Sequence, residues 1–388
     1  MTTQDGSAGP GPVAGSQLRF DYIPRPGLLA ITLTNLFFNL VTLTLYRFWA
    51  KTNVRRHIWS CVHINGEALE YTGRGKELFI GALIVFGVLL LPIVLLLMAL
   101  QIWLGPEHPA VFIVQFGFFF IIFGLWGMAV YRARRYQLSR TLWRGIRGAL
   151  VGSAWSYTGL HAGATLLAPM TLGWSTPAMN FNLQERMIGD MRFGSMPFQF
   201  SGTAGPLYGR YAIAWCLAVV IFLSVLITGG ALIYAAFGNE FWAILSGLAT
   251  TDSPARSNAY EDQVQSFLLI VFGMFGVVLL AWLAQSLIWP IYLAREMAVF
   301  ASYTTFDRAH FRLDATAGSL FLLTLGNVLL WIFTIGIASP FIQQRTIKYM
   351  CDRLTVVGEV DLAAILQSPA PVPRSGEGLA DAFDVGGI

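Results

Sequence analysis

Only one side chain that titrates near neutral pH lies within the long apolar stretches of this sequence, His161. An ionisable group in such a stretch is a candidate for lining a path or carrying a proton. It can equally be a neutral imidazole bonded to Ser, Thr or backbone. The amides Asn35, Asn39, Asn327, Gln101, Gln115 and Gln285 sit in the same stretches. They offer a polar lining, of which Asn35, His161 and Asn327 are the candidates. They also offer hydrogen bonds between helices, each contributing about 0.6–2 kcal/mol. No Asp, Glu, Lys or Arg interrupts these runs, which disfavours proton-driven transport, where intramembrane carboxylates are the rule.

A second cluster is basic. Arg132, Arg134, Arg135, Arg140, Arg144 and Arg147 are interleaved with Tyr131, Tyr136 and Trp143, and Arg55 and Arg56 form a shorter pair. Beside apolar runs, arginines attract anionic lipid headgroups at about 1 kcal/mol each, so the expected partners are the bilayer, its headgroups or a protein, not nucleic acid. Cys61, Cys216 and Cys351 are far apart and have no metal spacing. No HExxH, P-loop, GxSxG or GxGxxG motif occurs. Neither a catalytic residue nor a cofactor or metal is expected.

Composition states what must hold these groups. Of 388 residues, 55% are hydrophobic and 12% charged, about half the charge of a soluble domain. That excludes soluble, disordered, collagenous and coiled-coil classes and leaves a polytopic membrane protein. Four runs are long and unbroken: Leu78–Leu104, Ala110–Val130, Tyr211–Phe237 and Ser266–Leu293. Three others, Leu28–Tyr46, Gly148–Leu172 and Ala315–Ser339, are richer in Thr, Gly and Asn. Each of these three leads into a related segment: VTLTLYRFWAK…NGEALEYTG from Val41, MTLGWSTPAMN…FQFSG from Met170, and FTIGIASPFIQQ from Phe333. Aligned as an internal repeat, Thr44, Thr171 and Thr334 correspond, as do Ala50, Pro177 and Pro340, Arg55 and Arg345, and Cys61 and Cys351. Gly173 and Gly336 meet Tyr46. Leu69–Gly73 matches Phe198–Gly202 after a one-residue insertion. Each copy reads as an apolar segment, a hinge (Thr44; Thr171, Gly173, Pro177; Thr334, Gly336, Pro340), an amphipathic helix and a hairpin signal.

The TLYRFWAK hinge with its basic helix and LEYTG strand, the second hinge with GW-x-x-P, and RYQLSRTLWRGIRGAL before it resemble the YjgN-like inner-membrane proteins over roughly Leu18 to Ile365. The resemblance implies a bacterial inner-membrane location and no assigned activity.

The expected fold is therefore an all-α polytopic membrane protein with small cytoplasmic α/β elements. It has three internal repeats, four long transmembrane helices and three broken or re-entrant segments; the alternative is seven full spans with inverted repeats. In order along the chain these are a disordered tail (1–26), repeat 1 (27–77), a transmembrane hairpin (78–130), repeat 2 with the basic stretch (131–210), a second transmembrane hairpin (211–293), repeat 3 (294–367) and a disordered tail (368–388). The first tail is not expected to be a signal peptide. With seven spans, Lys and Arg divide 17 to 8 between the two sides; with four spans they divide 24 to 1. The positive-inside rule favours the second, with both termini cytoplasmic. Function is expected to be a passive or facilitated path for a small solute or lipid along the repeat axis, or else a non-transporting scaffold whose basic cap binds lipid or a partner.

Overall fold

Short strands organise the path of the chain. In the computed structural model, which describes residues 17–245 and 258–371, β1 (Phe20–Tyr22) leads into α1 (Leu28–Val41) and α2 (Arg47–Trp59), followed by β2 (Val62–Ile64), β3 (Glu67–Ala68) and β4 (Glu70–Tyr71). Two helices then leave and return. They are α3 (Gly75–Val85), which passes through a π-helical turn (Phe86–Leu90) into α4 (Leu91–Leu104), and α5 (Pro109–Arg140). Next come β5 (Thr141–Trp143), β6 (Ile146–Leu150), α6 (Ala154–Met170), α7 (Thr176–Gly189), β7 (Met191–Phe193) and β8 (Met196–Phe200). A second long excursion comprises α8 (Gly205–Leu245), α9 (Asn258–Ile288) and α10 (Pro290–Tyr303). The chain ends with β9 (Thr304–Phe306), β10 (Ala309–Leu313), α11 (Ala317–Thr334), α12 (Ser339–Arg353) and β11 (Leu354–Val357).

The chain divides into two compact units. One is Met1–Pro206, Met297–Asp314 and Asn327–Ile388; the other is Leu207–Glu296 with Ala315–Gly326. Every strand belongs to the first. β1-β2-β3 form one antiparallel sheet, and β11-β10-β9-β8-β7-β6-β5-β4 form another. Leu69 links the two, its N–H donating to the Val62 carbonyl at 2.9 Å.

Register carries the architectural conclusion. The strand before each short apolar helix pairs with the strand after its partner helix: Tyr22 opposite Val62, Leu150 opposite Met191, Leu313 opposite Leu354. The strands that flank the long excursions pair too, Tyr71 with Thr141 and Phe200 with Thr304. So the chain leaves the strands and comes back to them five times, each time through an even number of main helices or a broken equivalent.

Apolar residues from nearly every strand meet in one cluster: Leu18, Trp143, Phe306, Ala309, Val360 and Ile365, with Phe198 and Phe311 packed against it. Strands at both ends of the sheets can contribute to one cluster only if the sheet curves around it. Phe198 stacks on Phe306 with centroids 4.5 Å apart, and Trp143 packs against Phe193 at 5.7 Å. Two-residue turns set two of the hairpins: Asn65–Gly66 (φ 52° and 81°) and Arg144–Gly145 (φ 52° and 73°). That left-handed pair matches strand twist and suits Asn-Gly best.

In the second unit, Tyr211 is buried and meets Tyr292 edge-on at 5.1 Å and Trp289 at 6.4 Å. Gly273 lies close enough to Leu232 that a Cβ there would sit 3.2 Å from it, which brings α8 and α9 together through a small residue.

Several expectations change. The molecule is mostly helical, but its antiparallel sheet is far larger than small α/β elements. Residues 20–22, placed in a disordered tail by sequence, form β1. The run Gly148–Leu172 is part strand: β6 continues to Leu150 before α6 begins. Among the described residues, five helical stretches are long and apolar enough to cross a membrane: the four expected and, at 18 residues, Ala317–Thr334. Residues 1–16, 246–257 and 372–388, and so most of both tails, lie outside the described residues, though Ser368 is buried.

Candidate functional site

The three hinges are built by one set of bonds. The Thr42 hydroxyl donates to the Phe38 carbonyl (2.7 Å) and accepts from the Tyr46 N–H (2.9 Å). Thr171 does the same between Leu167 (2.9 Å) and Ser175 (3.1 Å), and Thr334 between Leu330 (2.6 Å) and Ala338 (3.1 Å). Two left-handed residues follow each threonine: Leu43 and Thr44 (φ 47° and 71°), Leu172 and Gly173 (50° and 80°), Ile335 and Gly336 (50° and 80°). The N–H of the second of them reaches back five residues, to Asn39, Ala168 and Trp331 at 2.7, 2.6 and 2.9 Å, which satisfies the last free carbonyls of the helix.

This geometry moves the sequence alignment by two positions in the first segment. Thr42, not Thr44, matches Thr171 and Thr334; Thr44 matches Gly173 and Gly336; Phe48, not Ala50, matches Pro177 and Pro340. Each threonine stands 20 positions before the first residue of the next strand, Val62, Met191 or Leu354. In this register Leu69–Gly73 meets Phe198–Gly202 with no insertion, while Cys61 and Cys351 are not equivalent. They still meet, with Tyr22 and Val62, in one buried cluster. Burial, with Asp352 and Asp21 nearby, pushes the Cys351 thiol up to about 11.

The three lining candidates are not gathered into one path. Asn35 is buried; its amide donates to the Ala50 carbonyl at 3.3 Å, and Asn53 donates to its Oδ1 at 3.5 Å. Asn327, seven residues before its hinge threonine as Asn35 is, donates to the Thr346 hydroxyl at 3.4 Å. Both clasp the two arms of a helical hairpin. His161 packs against α5 at Gly127, where a Cβ would lie 2.7 Å from its own, and its Nδ1 is 3.4 Å from the Thr165 hydroxyl. Bonds between helices account for the two asparagines, whereas His161 meets a threonine of its own helix.

A cavity of about 370 Å³ lies between α1, α2 and the third hinge, with Asn35, Arg47, Lys51, Gly336 and Pro340 on its walls. Residues 25–382 match the family described as "bacterial protein of unknown function (DUF898)". The chain belongs to this family. The YjgN-like resemblance is to a DUF898 family, and no curated protein and no solved structure matches the chain.

Most of the basic cluster of this DUF898 protein is used internally. Arg55, only 3% exposed, donates to the Tyr71 hydroxyl at 3.3 Å, and Arg56 to the Gly73 carbonyl at 3.2 Å. Arg135 bonds the Gly152 carbonyl and lies over the Tyr131 ring. Arg140 pairs with Glu77 at 2.8 Å. Arg144 grips Glu67 with two bonds of 2.8 and 3.0 Å. Arg147 reaches the Ser368 carbonyl at 2.9 Å. Arg132 and Arg134 are exposed. Sequence reasoning passed over Arg47 and Lys51, which only the fold brings to a cavity. Their signal was two cations directly after a hinge.

Among the described residues no group of three or more His, Cys, Asp or Glu is placed to hold a metal ion.

Proposed function

We propose that this DUF898 protein is a multi-pass protein of the bacterial inner membrane, built on three copies of a strand–helix–hinge–helix–strand repeat. The sheet forms a cytoplasmic cap. The pairs α1/α2, α6/α7 and α11/α12 dip into the bilayer and return, and they offer a lipid a lateral binding place instead of a water-filled axial path. The observation that carries this reading is the pairing of the strands that flank each short helix pair, because a segment whose two ends are neighbours in one sheet need not cross. At about 1.5 Å per residue, the 14-residue α1 reaches roughly 21 Å, short of a hydrocarbon core of about 30 Å. The tips support it as well: Leu43, Leu172 and Ile335 are 85%, 77% and 89% exposed, a composition suited to lipid and not to water. The 24-to-1 charge division agrees.

A path for a polar solute through the sheet is disfavoured by its apolar lining, in which the rings of Trp143, Phe193, Phe198 and Phe306 surround a cavity of about 240 Å³. The same dry interior supports the scaffold reading, in which the cap binds a partner. The two differ at the cap: Arg132→Gln with Arg134→Gln abolishes partner or headgroup capture by the cap only if the scaffold reading holds.

Topology is tested with single cysteines in a Cys61→Ala, Cys216→Ala, Cys351→Ala background. In whole cells an impermeant maleimide should label Glu107→Cys, in the loop between α4 and α5, and should label Ser201→Cys only after permeabilisation. External labelling at Ser201→Cys would overturn the re-entrant reading.

A further inference from the structure

Residues of both sheets line the cavity of about 240 Å³. β1 and β2 contribute Phe20 and Ile64 to its wall, β8 and β10 contribute Phe198 and Phe311, and Trp143 comes from β5. Apart from Thr141, Gly148 and Arg192, every residue on the wall is apolar. All of them belong to the first compact unit, so the site does not depend on how the helix pairs meet the membrane. An empty space of this size forfeits packing contacts for the side chains around it.

Trp143 brings an unpaired donor to this wall. The residue is 5% exposed, and its indole N–H is buried and makes no hydrogen bond. Trp59 gives the contrast, since its indole N–H donates to the Thr141 hydroxyl at 2.9 Å. That hydroxyl donates in turn to the Gln137 carbonyl at 2.8 Å. Phe193 and the Arg144 guanidinium, 4.9 Å from the ring centroid, hold the Trp143 ring in place. Buried polar groups are paired as a rule, and one left unpaired points to a partner that the chain itself does not supply. Water does not answer, because a held water needs about two to four polar partners and apolar cavities stay dry.

We propose that this cavity binds a short acyl group. Its hydrocarbon chain lies among Phe20, Ile64, Phe198 and Phe311, and its carbonyl oxygen accepts from the Trp143 indole N–H. A cavity of about 150 Å³ holds the six carbons of benzene, so 240 Å³ admits roughly nine or ten heavy atoms. A hexanoyl group is of that size, and a whole phospholipid is far beyond it. One carbonyl satisfies one donor, and the apolar wall asks for nothing more. Arg192, exposed on the same wall, distinguishes the two sources of such a group. It pairs with the carboxylate of a free acid and has no charge to meet in an ester.

The test uses the purified full chain in detergent, titrated calorimetrically with methyl hexanoate, methyl acetate and hexanoate against a detergent blank. Methyl hexanoate should bind at least tenfold more tightly than methyl acetate, whose chain is too short to fill the cavity. Trp143→Phe, which keeps a ring and removes the donor, should weaken methyl hexanoate about fivefold or more. Ile64→Phe, which puts bulk into the cavity, should weaken it at least tenfold with a ligand-free Tm within a few degrees of the parent. That variant keeps the test decisive if Trp143→Phe fails to fold. Hexanoate that binds more tightly than the ester, and loses this advantage in Arg192→Gln, supports the site and assigns its source to the free acid. Hexanoate that binds more weakly, with no effect of Arg192→Gln on the ester, supports the site and assigns an ester. Methyl hexanoate that binds no more tightly than methyl acetate, or equally well to folded Ile64→Phe or folded Trp143→Phe, overturns the proposal.

Discussion

Thr44 is the residue that separates the first hinge from the other two. It occupies the left-handed position that Gly173 and Gly336 fill at φ 80°, with φ 71° of its own. A β-branched residue there costs roughly 1–2 kcal/mol of backbone strain, which glycine avoids. Thr44→Gly should therefore raise the thermal unfolding midpoint in detergent, and Gly173→Thr should lower it by a corresponding amount. Opposite signs of the two shifts are the check; a drop in both would mean that the Thr44 side chain is needed for its own contacts. The hinge threonines themselves were legible, but their register was not. VTLTL offers two threonines two residues apart, and the downstream matches of Arg55 to Arg345 and Cys61 to Cys351 favoured the wrong one. The bonds of Thr42 to Phe38 and Tyr46 identify the right one.

Among the elements, the segment after β11 does work that its sequence concealed. It runs past the three hairpin turns and is fastened at each. The Asp361 N–H donates to Asp307 (3.0 Å), the Ser195 N–H to the Leu366 carbonyl (2.9 Å), and the Gln367 amide to the Gly145 carbonyl (2.8 Å). Beside these ties Val360 and Ile365 are buried in the sheet cluster, at 0% and 5% exposed. Ile365→Ala should cost about 2–5 kcal/mol, the usual range for emptying a core site of that size, and Val360→Ala somewhat less. Thermal unfolding would show both; an unchanged Tm would mean that the segment lies loosely on the sheet. No periodicity marks such a strap, since each tie uses a different donor and only the folded hairpins bring the partners together. The hairpins were partly readable. Asn65–Gly66 was evident from its residue types, whereas Arg144–Gly145 was hidden inside a basic stretch that drew attention to charge.

For the whole molecule, the central question is whether anything passes through it. The sheet interior is lined by apolar side chains and aromatic rings around a cavity of about 240 Å³, and His161 packs against α5. Proteoliposomes containing the full chain should therefore admit glycerol and other small neutral solutes no faster than empty liposomes. His161→Leu should leave that rate unchanged. Solute entry above the control that His161→Leu abolishes would restore the axial path. The arginine cluster teaches the same lesson at this scale. Counting cations along the chain treats them alike, yet six of the eight named arginines are bonded to this protein's own carbonyls, carboxylates and hydroxyls, which leaves Arg132 and Arg134 exposed.

Hydropathy and the hinge threonines marked apolar helices compatible with a membrane protein and three segments broken part-way, because those properties are local and survive in one dimension. The extent of the sheet, the strap and the apolar cavity emerged only in three dimensions. Each joins residues tens to hundreds of positions apart, and strand pairing, which single short strands scarcely announce, decides which of them become neighbours.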